Sequence, residues 1–129
     1  MRIKAILLMS GTGERFGSST PKQFLNLSGK KLYLHTLETF LPFPEFEEIL
    51  LVCHKEHIDQ VKQEVSDPRI RVIEGGHTRQ DPSYRGLLAC GPETTHVVIH
   101  DAARPFVSQK IIEDNLDALK NHDAVDTCI

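Results

Sequence analysis

Two stretches of the sequence carry residue types suited to handling phosphate. The first, MSGTGERFGSSTPKQF (Met9–Phe24), combines Gly11 and Gly13 with the cations Arg15 and Lys22. Glycines let backbone N–H groups approach a phosphate closely, and the cations would neutralise it. Gly11 and Gly13 could equally serve only to turn the chain after a buried strand. The second, HDAARPF (His100–Phe106), sets Asp101 beside the small Ala102 and Ala103. A carboxylate there suits a hard cation such as magnesium bridging substrate phosphates. Arg104, planar and permanently charged, suits bidentate phosphate contact, and Pro105 fixes the exit of the loop. The plainer alternative pairs Asp101 with Arg104 across the loop. Together the two stretches supply what a phosphorus centre under attack needs, which points to phosphoryl or nucleotidyl transfer. Neither holds a Ser/His/Asp system or a cysteine, so covalent catalysis is not indicated.

Other phosphate loops fail the comparison. The GxxxxGK[ST] pattern of P-loop kinases has no match near this position, and in GxGxxG the third glycine is replaced by Phe16, with Gly17 one place late. A nicotinamide-dependent dehydrogenase loses its main support. Seven histidines invite a zinc hypothesis, but His54 with His57, and His96 with His100, make only pairs where three or four ligands are needed. His100 is better read as ordering the loop beside Asp101. Glu45, Glu47 and Glu48 read as a solvated loop before a strand. Arg79 and Gln80 could cap a helix or line a base pocket.

These residues must be positioned by a regular framework. Ile3 to Met9 reads as a strand buried on both faces, interrupted only by Lys4. A long loop, Ser10 to Gln23, follows. KLYLHTLETFLPF carries Leu32, His35, Thr36, Phe40 and Leu41 at helical spacing until Pro42 and Pro44 stop it. Phe46–Cys53 is a second strand, HKEHIDQVKQEV a second helix with Ile58, Val61 and Val65 on its stripe, and Ile70–Ile73 a third strand. GGHTRQDPSYRGLLACG ends in a helix closed by Gly91 and Pro92. HVVIH is the fourth strand. QKIIEDNLDALKNH is an amphipathic helix through Ile111, Ile112, Leu116 and Leu119, with Ser108 as its N-cap. AVDTCI opens a fifth strand, and the chain reads as truncated there. The alternation predicts an α/β fold with a parallel sheet in the order 3-2-1-4-5. Ligands then sit at the switch point between strands one and four, where the two unusual loops face each other.

The whole chain is compatible with this. Its 129 residues predict one domain, 1–129, and 40% hydrophobic with 26% charged residues is an ordinary globular composition. A net charge of −3 offers nothing for nucleic acid to neutralise. Cys53, Cys90 and Cys128 form no CxxC pair and fit a reducing cytoplasm, Cys53 and Cys128 reading as core residues. MRIKAILLM is too short and too soon charged for a secretory signal, and no apolar run reaches the roughly 18 residues of a membrane span.

GTGERFG running through PKQFLNLSGKKLYLHTLETF, then GGHTRQ, then VIHDAARPFVS, resembles the 2-C-methyl-D-erythritol 4-phosphate cytidylyltransferase family, with the three segments in the family's order. The resemblance implies a three-layer Rossmann-like nucleotidyltransferase fold, of which this chain is the nucleotide-binding part. It implies transfer of CMP from CTP to 2-C-methyl-D-erythritol 4-phosphate with release of pyrophosphate, magnesium as cofactor, and a homodimer when full-length. Arg15 and Lys22 become the catalytic pair. Ser10, Gly11, Gly13, Gly76 and Ala102 become nucleotide-binding positions, Asp101 the metal ligand, and Arg104 a contact to ribose or to the second substrate's phosphate. Three features depart from the family: Ser10 in place of alanine or glycine, Pro82 and Ser83 where a base-recognising serine is usual, and the missing C-terminal part. A ribitol-5-phosphate-type cytidylyltransferase shares the glycine-loop and PKQF signature, though HDAARP rather than HDAVRP favours methylerythritol. A nucleotide-binding fragment without turnover is the alternative of another class.

Overall fold

The computed structural model describes residues 2–9, 22–75 and 81–122, with only the backbone of Lys22, Asp81 and Pro82. Ser10, Gly11, Gly13, Arg15, Gly76, Arg79 and Gln80, and the fifth strand expected in AVDTCI, lie outside the described residues. The elements are β1 (Ile3–Met9), β2 (Asn26–Leu27), β3 (Lys30–Lys31), α1 (Leu32–Phe40), β4 (Phe46–Cys53), α2 (Ile58–Glu64), β5 (Ile70–Glu74), α3 (Asp81–Cys90), β6 (His96–Asp101) and α4 (Gln109–Leu119). The main sheet is parallel in the order β5-β4-β1-β6, which is the order the sequence predicts for its first four strands.

Alternation along β1 makes the layers. Ile3, Ala5, Leu7 and Met9 join a core with Tyr33, Leu37 and Phe40 of α1, Val61 of α2, and Ile112 and Leu116 of α4. Ile6 points the other way, into a smaller core with Leu50, Val52 and Cys90 under α3. Both faces of β1 are therefore covered, which is why its sequence is nearly all apolar. α3 lies so close that a Cβ built on Gly86 would sit 2.8 Å from Ile6 Cγ2.

Lys4, the one polar residue in β1, has a structural task. Its Nζ donates to the Cys90 carbonyl at 2.7 Å and pairs with Glu48 at 2.7 Å. Thr94 Oγ1 donates to the same carbonyl at 2.8 Å, and Arg71 Nη1 to the Ala89 carbonyl at 2.9 Å. The last carbonyls of α3 thus receive donors, two of them cationic, where the helix dipole is negative. Gly91, with φ +80°, then ends the helix in the left-handed region, as expected.

Two expectations need correction. Glu47 and Glu48 are not loop residues: both lie in β4, within the strand expected over Phe46–Cys53, Glu47 accepting from Arg2 Nε and Nη2 at 2.9 and 2.8 Å. The register slips between Ile3 and Lys4, whose partners are Phe46 and Glu48, so one extra residue lets Phe46 and Ile49 both face the core. α2 is shorter than the sequence pattern, because Lys55–His57 forms a tighter 3-10 turn whose first amide pair is capped by His54 Nδ1 accepting from Glu56 N–H at 3.2 Å. The hairpin of β2 and β3 is unforeseen. Its two-residue turn, Ser28-Gly29, has both φ positive, the geometry that suits the twist of paired strands. Elsewhere boundaries shift by a residue or a few, and Ser108 caps α4 as predicted, accepting from Ile111 N–H at 3.1 Å.

α1 and α2 are tied at their ends by Glu64, which accepts from Lys31 Nζ and, at 2.5 Å, from Tyr33 Oη. Burial pushes the Glu64 carboxyl up, but the hydrogen bonds from Lys31 and Tyr33 outweigh it and hold the group below its usual value.

Gly86→Ala should destabilise the protein. Alanine gains about 0.5–1 kcal/mol in a helix interior, but the buried, branched Ile6 cannot swing aside, and overpacking costs about 1–3 kcal/mol. A urea midpoint lower than wild type is expected; a higher one would mean that α3 sits further from the sheet. For Glu64, a depressed pKa adds stability that is present above the unfolded-state value and lost as pH falls through the folded one. Below about pH 4.5 the wild type should therefore lose stability more steeply than Glu64→Gln, as read from denaturation midpoints against pH.

Candidate active site

From β1 the chain moves outward to β4 and β5 on one side, then crosses to β6 on the other. The strand order reverses between β1 and β6, and their carboxyl ends bound the crevice where open α/β sheets bind ligands. Leu8 is opposite Asp101 in the register, so the carboxyl end of β1 lies beside the start of the HDAARPF loop.

Asp101 is the last residue of β6 and its side chain is 53% exposed. Its Oδ1 accepts from Ala103 N–H at 2.9 Å, and its carbonyl from Arg104 N–H at 3.1 Å, which closes a tight turn. His100 orders the loop as the sequence suggests: its Nε2 lies 3.1 Å from the Arg104 carbonyl, and its ring packs near Phe40 at 5.8 Å. The Asp101–Arg104 pair exists, but Arg104 Nε stands 3.8 Å from Oδ2 and the Arg104 side chain is 77% exposed. Such a pair is worth about 0–1 kcal/mol.

Ala102 has no exposed surface. Its N–H donates to the Leu8 carbonyl at 3.0 Å and its carbonyl accepts from Thr36 Oγ1 at 2.9 Å. A side chain larger than methyl would meet the core, so alanine here fixes the loop rather than opening space beside Asp101. Its main-chain groups are already engaged within the protein.

On the opposite rim, Lys22 begins a 3-10 turn, Lys22–Phe24. Gln23 folds inward, 2% exposed, and its Nε2 donates to the Met9 carbonyl at the end of β1. Phe24 is held edge-on by Tyr33 at 5.6 Å, by the His57 ring at 4.7 Å, and under Lys31 Nζ at 5.5 Å. The Lys22 backbone and Asp101 are in this way tied to the last two residues of one strand. Gln23, Thr36 and His57 are not picked out for these contacts by the sequence, which reads Thr36 only as part of a helix stripe and His57 only as half of a histidine pair. Thr36 alone left a signal, a polar residue on an otherwise apolar helix stripe.

The GGHTRQ segment starts from the same end of the sheet, since Gly75 N–H donates to the Cys53 carbonyl at 2.7 Å. Pro82 falls in the first turn of α3, where a missing N–H breaks no helical bond. Burial pushes the Cys53 thiol up to about 11, so it is neutral near pH 7, and burial raises Cys90 as well. Among the described residues no group of three or more His, Cys, Asp or Glu could hold a metal, and no helix is long and apolar enough to cross a membrane. What the described HDAARPF loop offers a ligand is one exposed carboxylate, Asp101, and one exposed guanidinium, Arg104.

A family model described as 2-C-methyl-D-erythritol 4-phosphate cytidylyltransferase (IspD) matches residues 3–128. A protein of that name from Clostridium perfringens is 40% identical over 120 residues, covering 89% of this chain and 52% of its own length. A ribitol-5-phosphate cytidylyltransferase from Lactiplantibacillus plantarum is 37% identical over 137 residues, covering 98% of this chain and 59% of its own length. The solved 4-diphosphocytidyl-2C-methyl-D-erythritol synthase of Anaerococcus prevotii shares 32% identity at a TM-score of 0.80, over 93% of this chain and 51% of that one. The chain spans about half the length of the curated relatives it matches. A nearly full-length match to the family model and a parallel sheet with HDAARP at its switch point lead to one assignment: this chain belongs to the 2-C-methyl-D-erythritol 4-phosphate cytidylyltransferase family.

Proposed function

We propose that the protein is a cytidylyltransferase that transfers CMP from CTP to 2-C-methyl-D-erythritol 4-phosphate, releasing pyrophosphate, in non-mevalonate isoprenoid precursor synthesis. The observation that carries this reading is the tethering of the Lys22 turn and of the Asp101 loop to successive carbonyls at the end of β1. A cation and a carboxylate so held can face one polyphosphate from two sides. An oxygen of the methylerythritol phosphate attacks the α-phosphorus of CTP, a new P–O bond forms, and the bond to the β-phosphate oxygen breaks. Arg15 and Lys22 neutralise the charge that grows on the phosphates. Gly11 and Gly13, with Ser10, bring backbone N–H groups to the triphosphate, and Gly76 lies against the cytosine. Ala102 serves by fixing the loop, and Arg104 contacts the ribose or the second substrate's phosphate.

The donor set fits magnesium, which prefers oxygen ligands and is often held by one or two carboxylates with substrate phosphates completing its shell. Asp101 would hold it, and the ion when bound supplies charge neutralisation on the phosphate oxygens. The full-length protein acts in the cytoplasm as a homodimer, on CTP and a sugar-alcohol phosphate.

The test is a calorimetric titration of the chain with CTP, ATP and UTP in magnesium, repeated with Lys22→Ala. CTP should bind best, and loss of one charged hydrogen bond, about 1.5–3 kcal/mol, should weaken it roughly 10- to 100-fold. Equal affinity for the three nucleotides would remove the base assignment, and no binding by the folded chain would remove the nucleotide site. The ribitol reading is motivated by the Lactiplantibacillus relative. Turnover by a chain extended to its relatives' length, offered methylerythritol phosphate and ribitol 5-phosphate in turn, separates the two. Turnover only in the extended chain would make the present one a binding unit.

A further inference from the structure

Among the described residues three polar or charged side chains are buried: Lys4, Gln23 and Thr36. Lys4 holds the end of α3, far from the crevice. The other two both donate to main-chain carbonyls at the crevice, Gln23 to Met9 and Thr36 to Ala102 at 2.9 Å, a shorter contact than the 3.3 Å from the same hydroxyl to the Leu32 carbonyl of its own helix. Neither position needs polarity for packing. Gln23 lies in a turn whose neighbour Phe24 is already held by rings, and Thr36 sits on the apolar face of α1 between Tyr33, Leu37 and Phe40. Burying an amide or a hydroxyl costs free energy that its hydrogen bonds offset, and each of these bonds also satisfies a main-chain carbonyl in a segment that leads into one of the rims.

The geometry points to Gln23 and Thr36 as positioning residues for the two rims. Gln23 sets the turn carrying Lys22 against β1, and Thr36 sets the turn carrying Asp101 against α1. Ala102 N–H on the Leu8 carbonyl joins the two sets, so a continuous run of hydrogen bonds fixes the two turns relative to each other at the end of β1. This assignment rests on the nucleotide-binding reading above and adds the residues that make its geometry.

The experiment measures CTP affinity of the whole chain in magnesium and in EDTA, for wild type, Gln23→Met and Thr36→Val, each first shown to be folded by circular dichroism and its unfolding midpoint. Displaced rims should weaken binding about tenfold. Gln23→Met should do so in both conditions, because Lys22 meets phosphate with or without the metal. Thr36→Val should do so only in magnesium, because it moves the metal-binding carboxylate, and Thr36→Ser, which keeps the hydroxyl, should restore the magnesium effect. A merely structural role would lower the midpoint and leave both affinities of the folded protein unchanged. Valine presses a methyl on the Ala102 carbonyl, so Thr36→Ala, and Gln23→Leu at the other rim, replace either variant that fails to fold. Wild-type affinity in the folded variants, or equal losses with and without magnesium for position 36, overturns the assignment while the nucleotide site stands. A wild-type chain that binds CTP in neither condition overturns the nucleotide reading and this inference together.

Discussion

The site depends on what happens where β1 runs out of partners. A central strand of a parallel sheet has its carbonyls and amides paired by its neighbours, but at its carboxyl end that ladder stops while the backbone is still buried. Buried carbonyls must be met by some donor. Here the donors come from the two segments that flank the strand end: Ala102 N–H for Leu8 and the Gln23 amide for Met9. The hydrogen bonds that satisfy the strand end also tether both segments to it.

The opposite end of the sheet is held by charge. Lys4 is nearly buried, and an unpaired ammonium there would cost several kcal/mol. Glu48 and the Cys90 carbonyl face it at 2.7 Å, and Arg71 holds the neighbouring carbonyl of α3. Because the C-terminus of α3 is fixed at the amino end of the strands, its first turn lies at the carboxyl end, on the crevice side of the sheet. Gly86 allows the helix to lie close along that path. Charges remote from the crevice thus help to aim the helix that follows the GGHTRQ segment.

Much of this was legible in the sequence because period and punctuation agree. The strand runs, the helix stripe of α4 with Ser108 at its head, and Gly91 after α3 are local signals, and right-handed crossovers turn them into a sheet order. The hairpin at Ser28-Gly29 escaped because two-residue strands carry no period. Glu47 and Glu48 were misread because their partners, Arg2 and Lys4, lie far away in sequence, just before and within β1, and no local pattern announces such a pairing. The same reason hid Gln23 and Thr36. Their value lies in which carbonyl each meets, which is a property of the tertiary fold, whereas Asp101 and Arg104 are visible as chemistry wherever they stand.

The two sequence readings of Asp101 and Arg104, a pair with each other or a pair for a ligand, need not compete. Their ion pair spans 3.8 Å between side chains that are both more than half exposed. Water screens it to about 0–1 kcal/mol, less than the roughly 1.5–3 kcal/mol of a charged hydrogen bond to a ligand. The backbone beneath has nothing to rearrange, because His100 holds the Arg104 carbonyl and Ala103 N–H holds Oδ1. An incoming polyphosphate would have to displace only a weak side-chain contact on a fixed turn. The pair keeps two exposed charges mutually compensated, and in the proposed function its weakness would favour exchange for a ligand.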